Sequence, residues 1–137
     1  MLALAFVGCK KTKDTFTSRT YHRTVSKFNP LFNGQQAMIQ GEASLAQSHR
    51  DDFSKILKVF KEGDEAAASG VKPTMDKAIE KAAKVVQEHS MMIRNEQKNA
   101  YIDDSYLLLG KARYYKREYM EALETFEPER IAGRILG

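Results

Sequence analysis

Histidines and paired aspartates are the side chains with which this sequence could bind a metal or transfer protons. His22, His49 and His89 lie in separate segments, and none of them has the H-x-x-x-H or H-E-x-x-H spacing of helical metal ligands. The aspartates form adjacent pairs at 51–52 and 103–104, and neighbouring side chains diverge on a helix or a strand. The sequence also lacks a glycine-rich phosphate loop and a G-x-S-x-G element. We therefore expect no catalytic residues, no metal and no cofactor, which indicates that the protein is not an enzyme.

Cys9 is the only cysteine, and it offers a different chemistry. It follows the apolar run of residues 2–7 and Gly8, and lysines stand at positions 10, 11 and 13 directly after it. This arrangement resembles a bacterial lipoprotein signal, in which the cysteine becomes the acylated first residue of the mature protein. The resemblance implies lipid attachment at Cys9, with residues 1–8 as the remnant of the signal. Acyl chains anchor stably because each buried methylene contributes about 0.8 kcal/mol. The alternative is an ordinary buried thiol.

Length and composition limit the protein to one modest domain. Its 137 residues are 42% apolar and 29% charged, which suits a domain that buries about two-thirds of its unfolded surface. The formal charge of +4 comes from cations interleaved with 18 acidic residues, so it is weak evidence for nucleic-acid binding. No apolar run reaches the roughly 20 residues of a transmembrane helix, so membrane attachment would need another route.

The spacing of large and small residues near the end of the chain is that of a tetratricopeptide helix pair. In such a pair, large side chains fill the space between two antiparallel helices, and small residues stand where the helices come closest. The predicted packing residues are Tyr106, Leu109, Gly110, Tyr119, Ala122 and Phe126. The pair is expected at 99–127, with its turn at Lys116-Arg117-Glu118. Asp76, one repeat length before Gly110, lacks the pattern, so we predict a single incomplete unit.

Two further helices are predicted ahead of this pair. Asn29-Pro30 is expected to begin a helix that ends near Gln47, with Asn as its cap and Pro at its first position. Pro73 is expected to open the clearest helix, which should end between residues 90 and 94. The buried stripe of that helix is predicted to be Met75, Ile79, Ala82 and Val86. Residues 48–60 favour a short helix or an irregular segment.

The fold class that follows is all-α. Antiparallel helical hairpins should occupy residues 29–127 and end in the incomplete tetratricopeptide-like unit. Residues 9–28 are rich in Thr, Ser, Lys and Arg without an apolar period, which predicts an extended, lipidated tether. Cations of this tether could lie against anionic head groups or a partner, although a solvated linker is the simpler interpretation. Residues 128–137 are expected to be an atypical, truncated tail.

Six short motifs, taken in order, resemble the N-terminal part of one family. They are C-K-K-T-K-D-T at 9–15, S-R-T-Y-H at 18–22, K-F-N at 27–29 with F-N at 32–33, H-R-D-D-F at 49–53, M-D-K-A-I at 75–79 and Y-I-D-D-x-Y-L-L-L-G at 101–110. They are similar to those of the gliding-motility tetratricopeptide lipoproteins of Bacteroidota that are associated with type IX secretion (the SprE/PorW type). The resemblance implies an outer-membrane lipoprotein on the periplasmic face that serves this machinery as a scaffold.

The function expected from the sequence is therefore a non-enzymatic, lipid-anchored helical scaffold. Its partners would be other proteins of the secretion and motility machinery, and no nucleic acid is expected. The alternative is a small basic helical nucleic-acid-binding domain, which would need a helix face dense in Lys and Arg. An enzyme ranks third, since it would need His and Asp side chains that converge in a pocket.

Overall fold

A computed structural model describes residues 11–49, 53–54, 56 and 65–127. Helices dominate these ranges, which confirms the all-α prediction with its helical hairpins. The helices are α1 (Phe16–Ser26), α2 (Phe32–Ser48), α3 (Glu65–His89), α4 (Tyr101–Tyr115) and α5 (Tyr119–Phe126), with a π-helical turn at Lys27–Leu31 between α1 and α2. Cys9, most of the segment predicted at 48–60 and the tail at 128–137 lie outside the described residues.

Part of the segment predicted as a tether is a helix. α1 begins after Thr15, whose hydroxyl accepts a hydrogen bond of 3.2 Å from the backbone N–H of Ser18 and so caps the helix. The buried residues of α1 are Ser18, His22 and Ser26, which stand four apart on one face. The prediction of an extended segment was wrong here because it relied on apolar periodicity, and the face that packs is polar.

Asn29-Pro30 does not begin a new helix. The chain passes from α1 through the π-helical turn into α2 without a break, and Pro30 lies buried inside that turn. Proline lacks the N–H that an α-helix would use at this point, and a π-turn changes the local hydrogen-bond pattern. The start predicted at residue 29 was therefore wrong, whereas the end predicted near Gln47 agrees with the observed end of α2 at Ser48.

α3 begins earlier than the sequence indicated and contains Pro73 within it. It ends at His89, one residue before the predicted range. Of the predicted stripe, Met75 and Ala82 are fully buried, while Ile79 and Val86 lie at the edge of the core. The face that packs is centred slightly to one side of the prediction, on Val71, Met75, Ala78, Ala82, Val85 and His89.

The core forms where α3 packs against α2 on one side and α4 on the other. Close approach of α2 and α3 depends on Gly41, since a Cβ there would overlap the end of Met75 and come within 3.0 Å of the Thr74 hydroxyl.

A small antiparallel hairpin, β1 (Met92–Ile93) with β2 (Glu96–Gln97), connects α3 to α4 and was not predicted. Its turn residues Arg94 and Asn95 both have positive φ, as a type I′ turn requires. In the described part of the chain, no helix has the length and hydrophobicity needed to cross a bilayer.

Candidate functional site

The tetratricopeptide-like residues bring α4 and α5 together as an antiparallel pair, with the turn at the predicted residues 116–118. Gly110 is the point of closest approach, because a Cβ on this residue would overlap the ring of Phe126. Tyr106, Leu109 and Ala122 are buried around it. Of the predicted packing residues, Gly110 and Phe126 therefore meet between the two helices.

Tyr119 and Phe126 are more exposed than interhelical packing residues would be, at 45% and 41%. The ring of Tyr119 lies beside Tyr114, with 5.6 Å between the ring centroids. Met120 and Leu123 are exposed on the same side of the helix. We call the four side chains Tyr119, Met120, Leu123 and Phe126 the α5 apolar face.

Two basic residues attach α5 and its turn to the rest of the molecule. Arg113 on α4 donates from Nη1 to the Thr125 hydroxyl at 2.8 Å and to the carbonyl oxygen of Glu121 at 3.1 Å. Lys116 lies between Asp76 of α3 and Glu118, with Nζ 2.6 Å from a carboxylate oxygen of each. Burial acts to lower the pKa of Lys116, but its hydrogen bonds to these two carboxylates outweigh that effect and raise the pKa. The turn is thus fixed to α3 as well as to α4.

A groove of about 680 Å³ runs between α3 and α4. Its walls combine Ile79, Ala83 and Val86 of α3 with Tyr106 and Leu109 of α4, and its other lining residues include Lys11, Gln87, Met92 and Arg113. The Nζ of Lys11 donates to the carbonyl oxygen of Gln87 at 3.1 Å, which places the segment after Cys9 at the rim. Two of the six predicted packing residues therefore line a surface groove. We refer to this feature as the α3–α4 groove.

The main feature that sequence reasoning missed is a buried cluster that joins α1 to α3. The Nδ1 atoms of His22 and His89 lie 3.0 Å apart, although the residues are far apart in sequence. Asn99 is fully buried beside them, and its Nδ2 donates to the Ser26 hydroxyl at 2.8 Å and to the carbonyl oxygen of His89 at 3.0 Å. Its Oδ1 accepts from the N–H of Tyr101 at 3.2 Å, at the start of α4. We call His22, Ser26, His89 and Asn99 the polar node.

The two imidazoles of the polar node constrain each other's protonation. A hydrogen bond between the two Nδ1 atoms needs one donor and one acceptor, so at least one ring must be neutral. Burial lowers the pKa of His89, and the charge of His22 lowers it further. The only sign of the polar node in the sequence is the i, i+4 spacing of His22 and Ser26. That spacing places the two residues on one face only if the segment is a helix.

The polar node contains two histidines and no cysteine or acidic side chain. No group of three or more His, Cys, Asp or Glu side chains comes together within the described residues. Asp103 and Asp104 are exposed in the first turn of α4, and His49 follows the end of α2. The hydrogen bonds of the polar node join α1, the end of α3 and the start of α4 into one unit.

No family model and no curated protein sequence matches this chain.

Proposed function

We propose that the chain is a non-enzymatic helical scaffold, anchored by lipid at Cys9, that presents helix surfaces to protein partners. The observation that carries the proposal is the α5 apolar face. Met120 is 70% exposed and Leu123 is 56% exposed, beside two aromatic rings that are also partly in solvent. The ring of Phe126 also contacts α4 at Gly110, so the apolar face continues from that contact into solvent. A contiguous exposed apolar face of this kind is typical of a surface that another helix covers.

The α3–α4 groove supports the same proposal. Apolar side chains supply most of its walls, and the charged residues that line it in the described part of the chain, Lys11 and Arg113, are both cationic. An amphipathic helix with apolar anchors and acidic flanking residues has the chemistry to occupy such a groove. The α3–α4 groove and the α5 apolar face adjoin the same helix, α4, and so present two surfaces for partners.

The cellular setting that we propose follows from the resemblance to the type IX secretion and gliding-motility lipoproteins. The protein would stand on the periplasmic face of the outer membrane, held by acyl chains on Cys9. Its partners would be other components of that machinery. The segment that follows Cys9 reaches the rim of the α3–α4 groove at Lys11, which would keep the groove within a few residues of the anchor.

Lipid attachment is tested by radiolabelled palmitate incorporation in a Bacteroidota host that produces the chain. We expect label in the protein with Cys9 and none in Cys9→Ala, because this is the only cysteine. Label that persists in Cys9→Ala would contradict the anchor. A Cys9→Ala protein that still folds, as judged by its helical circular dichroism, is the necessary control.

The partner surface is tested by photo-crosslinking in the same host. A photoreactive amino acid at Met120 should give discrete crosslinked products, and Leu123→Glu in the same protein should abolish them, because a charge would then lie in the contact. The matched control places the photoreactive residue at Lys77, which is exposed on α3. Equal products from both positions, or products unaffected by Leu123→Glu, would count against the α5 apolar face as a binding surface.

A further inference from the structure

The positive charge of the protein is concentrated at one end of the described structure. Residues 11–49 carry five Lys and Arg against two Asp and Glu, whereas residues 65–127 carry ten against eleven. The sequence from Thr15 to Gly41 contains no acidic residue at all. α1 lies within this acid-free stretch, so its charge cannot be neutralised from its own element.

The cations of α1 share the side of the helix that faces solvent. Arg19 and Arg23 of α1 and Lys27, the first residue of the π-helical turn, stand four residues apart, each about 100° around the helix from the buried positions Ser18, His22 and Ser26. Because the polar node fixes the buried side to α3 and α4, the outward direction of these cations is fixed as well. We call Arg19, Arg23 and Lys27, together with Phe16 and Phe28, the cationic face.

Two phenylalanines flank these cations and are exposed to solvent. Phe16 is 85% exposed and stands two helical turns before Arg23, on the same side of α1. Phe28 is 68% exposed, and the Nζ of Lys27 lies 5.1 Å from the centre of its ring. Aromatic side chains between cations are typical of helices that lie in the interface of a membrane, where the rings enter the head-group region and the cations meet phosphates.

The cations differ in how far they are neutralised. Arg19 forms an ion pair with Asp14, and this hydrogen-bonded pairing lowers the pKa of Asp14, with smaller contributions from Lys98 and Arg94. Within the part of the chain that the structure describes, Arg23 and Lys27 form no ion pair with an acidic side chain, and both are exposed. Their charges are therefore open to an external anion.

We infer that the cationic face of α1 rests on an anionic phospholipid surface. Charge complementarity, the two exposed rings and the fixed outward direction of the face support this partner. The inference rests on the proposed function in one respect, the anchor at Cys9. α1 begins seven residues after that cysteine, a span of at most about 25 Å.

The number of open cations favours a membrane over a nucleic acid. Nucleic-acid binders gain their affinity from roughly six to ten phosphate contacts, many more than two open side chains supply. A membrane-tethered protein needs far fewer contacts, because each cation near an anionic surface strengthens binding by about fivefold. Two open cations therefore matter for a chain that the anchor already holds at the surface.

Vesicle sedimentation of the Cys9→Ala protein tests the cationic face without the anchor. The probes are vesicles of phosphatidylcholine that contain phosphatidylglycerol and vesicles of phosphatidylcholine alone. We expect binding to the anionic vesicles that weakens with salt, and a reduction of at least roughly 25-fold in Arg23→Glu/Lys27→Glu, since each reversal removes at least one attraction of about fivefold. Arg23→Gln/Lys27→Gln provides a milder second variant should the reversal impair folding, with an expected reduction of about 25-fold.

The matched control is Lys72→Glu/Lys77→Glu, which makes the same change in net charge at exposed positions of α3. Its vesicle binding should stay within about twofold of the parent, because Lys72 and Lys77 lie outside the cationic face. An equal loss in both double variants would show a net-charge effect and overturn the inference. Binding to phosphatidylcholine alone, or binding to an oligonucleotide with no binding to anionic vesicles, would also overturn it. Palmitate labelling at Cys9 is scored separately, so failure of the anchor and failure of the cationic face are distinguishable.

Discussion

α1 and the α4–α5 pair are both held to the body of the molecule, but by opposite means. The α4–α5 pair meets through a size match, in which the absence of a side chain at Gly110 leaves room for the ring of Phe126. α1 meets α3 through hydrogen bonds among buried polar groups, with Asn99 at their centre. Apolar packing tolerates small adjustments, whereas a buried polar cluster is costly when any member loses its partner.

The two regions also meet α3 at different points, one at its C-terminal end and one near its middle. His89 of the polar node is at its C-terminal end, and Asp76, which pairs with Lys116 at the α4–α5 turn, is 13 residues earlier. That separation corresponds to about 20 Å along the helix. The arrangement gives the molecule one cationic end that carries α1 and a second region that carries the α5 apolar face.

The largest effect is expected from Asn99→Ala, which breaks the polar region. The substitution leaves the His89 carbonyl and the Tyr101 N–H without the amide that pairs with them, and each unsatisfied buried group costs about 1–3 kcal/mol. The Ser26 hydroxyl loses one donor but still donates to the carbonyl oxygen of His22. We expect the free energy of unfolding in urea to fall by about 3 kcal/mol in total. Asn33→Ala, which removes an exposed amide from α2, is the control and should change stability by less than about 0.5 kcal/mol. If Asn99→Ala lost no more stability than the control, the polar node would not be what holds α1 to the rest of the molecule.

A smaller effect is expected from Gly110→Leu, which breaks the size match of the α4–α5 pair. Leucine forms helices as well as alanine does to within a few tenths of a kcal/mol. The overlap with Phe126 therefore decides whether the free energy of unfolding rises or falls. Overpacking of this kind costs about 1–3 kcal/mol, and we expect about 2 kcal/mol by urea unfolding. Gly70→Leu is the matched control, since a Cβ at that position of α3 meets nothing within 4 Å. It should be neutral or stabilising.

The double variant Gly110→Leu/Phe126→Ala sharpens this comparison. Removing the ring makes room for the leucine, so the pair of substitutions should cost less than Gly110→Leu alone. Strictly additive losses would mean that the two residues do not contact each other. No compensation of this kind is expected for the polar node, where a change of size cannot replace a lost hydrogen-bond donor.

The smallest effect is expected from acidification. Because the pKa of His89 is lowered in the folded protein, the unfolded chain binds protons more readily, and stability falls as the pH drops below the ordinary histidine pKa of about 6.5. The charged groups that face His89 include His22 of α1 and Lys84, which oppose its protonation, and Glu88, which favours it. The loss should stay near the value of one neutral hydrogen bond, about 1 kcal/mol. Chemical denaturation at several pH values should show this loss in the parent and a weaker dependence in His89→Gln. An unchanged profile in that variant would assign the pH dependence to other groups.

The same contrast explains what could be predicted from the sequence. The α4–α5 pair follows a pattern of large and small residues with strict offsets, and the structure has its turn at 116–118, Gly110 against the ring of Phe126 and Ala122 buried. Tyr119 and Phe126 fit that pattern less well, since both rings are partly exposed to solvent.

α1 could not be predicted from the same rules, because its buried face is Ser18, His22 and Ser26 and carries no apolar signal. The partners that justify burying these residues are His89 and Asn99, and only the folded chain brings them near. Pro30 and Pro73 misled for a related reason. Each was taken as the start of a helix, while packing along α2 and α3 holds them inside longer helices.

The central claim is that the cationic end of the molecule faces a membrane while the α5 apolar face remains available to partners. Nitroxide labels on Thr24→Cys and, separately, Met120→Cys test it directly in the lipidated protein, where acylation of Cys9 leaves the introduced cysteine as the only free thiol. With the protein on vesicles that contain phosphatidylglycerol, we expect the label at Thr24 to be shielded from a water-soluble nickel chelate and the label at Met120 to be accessible. Equal accessibility of the two labels, or shielding only at Met120, would contradict the account.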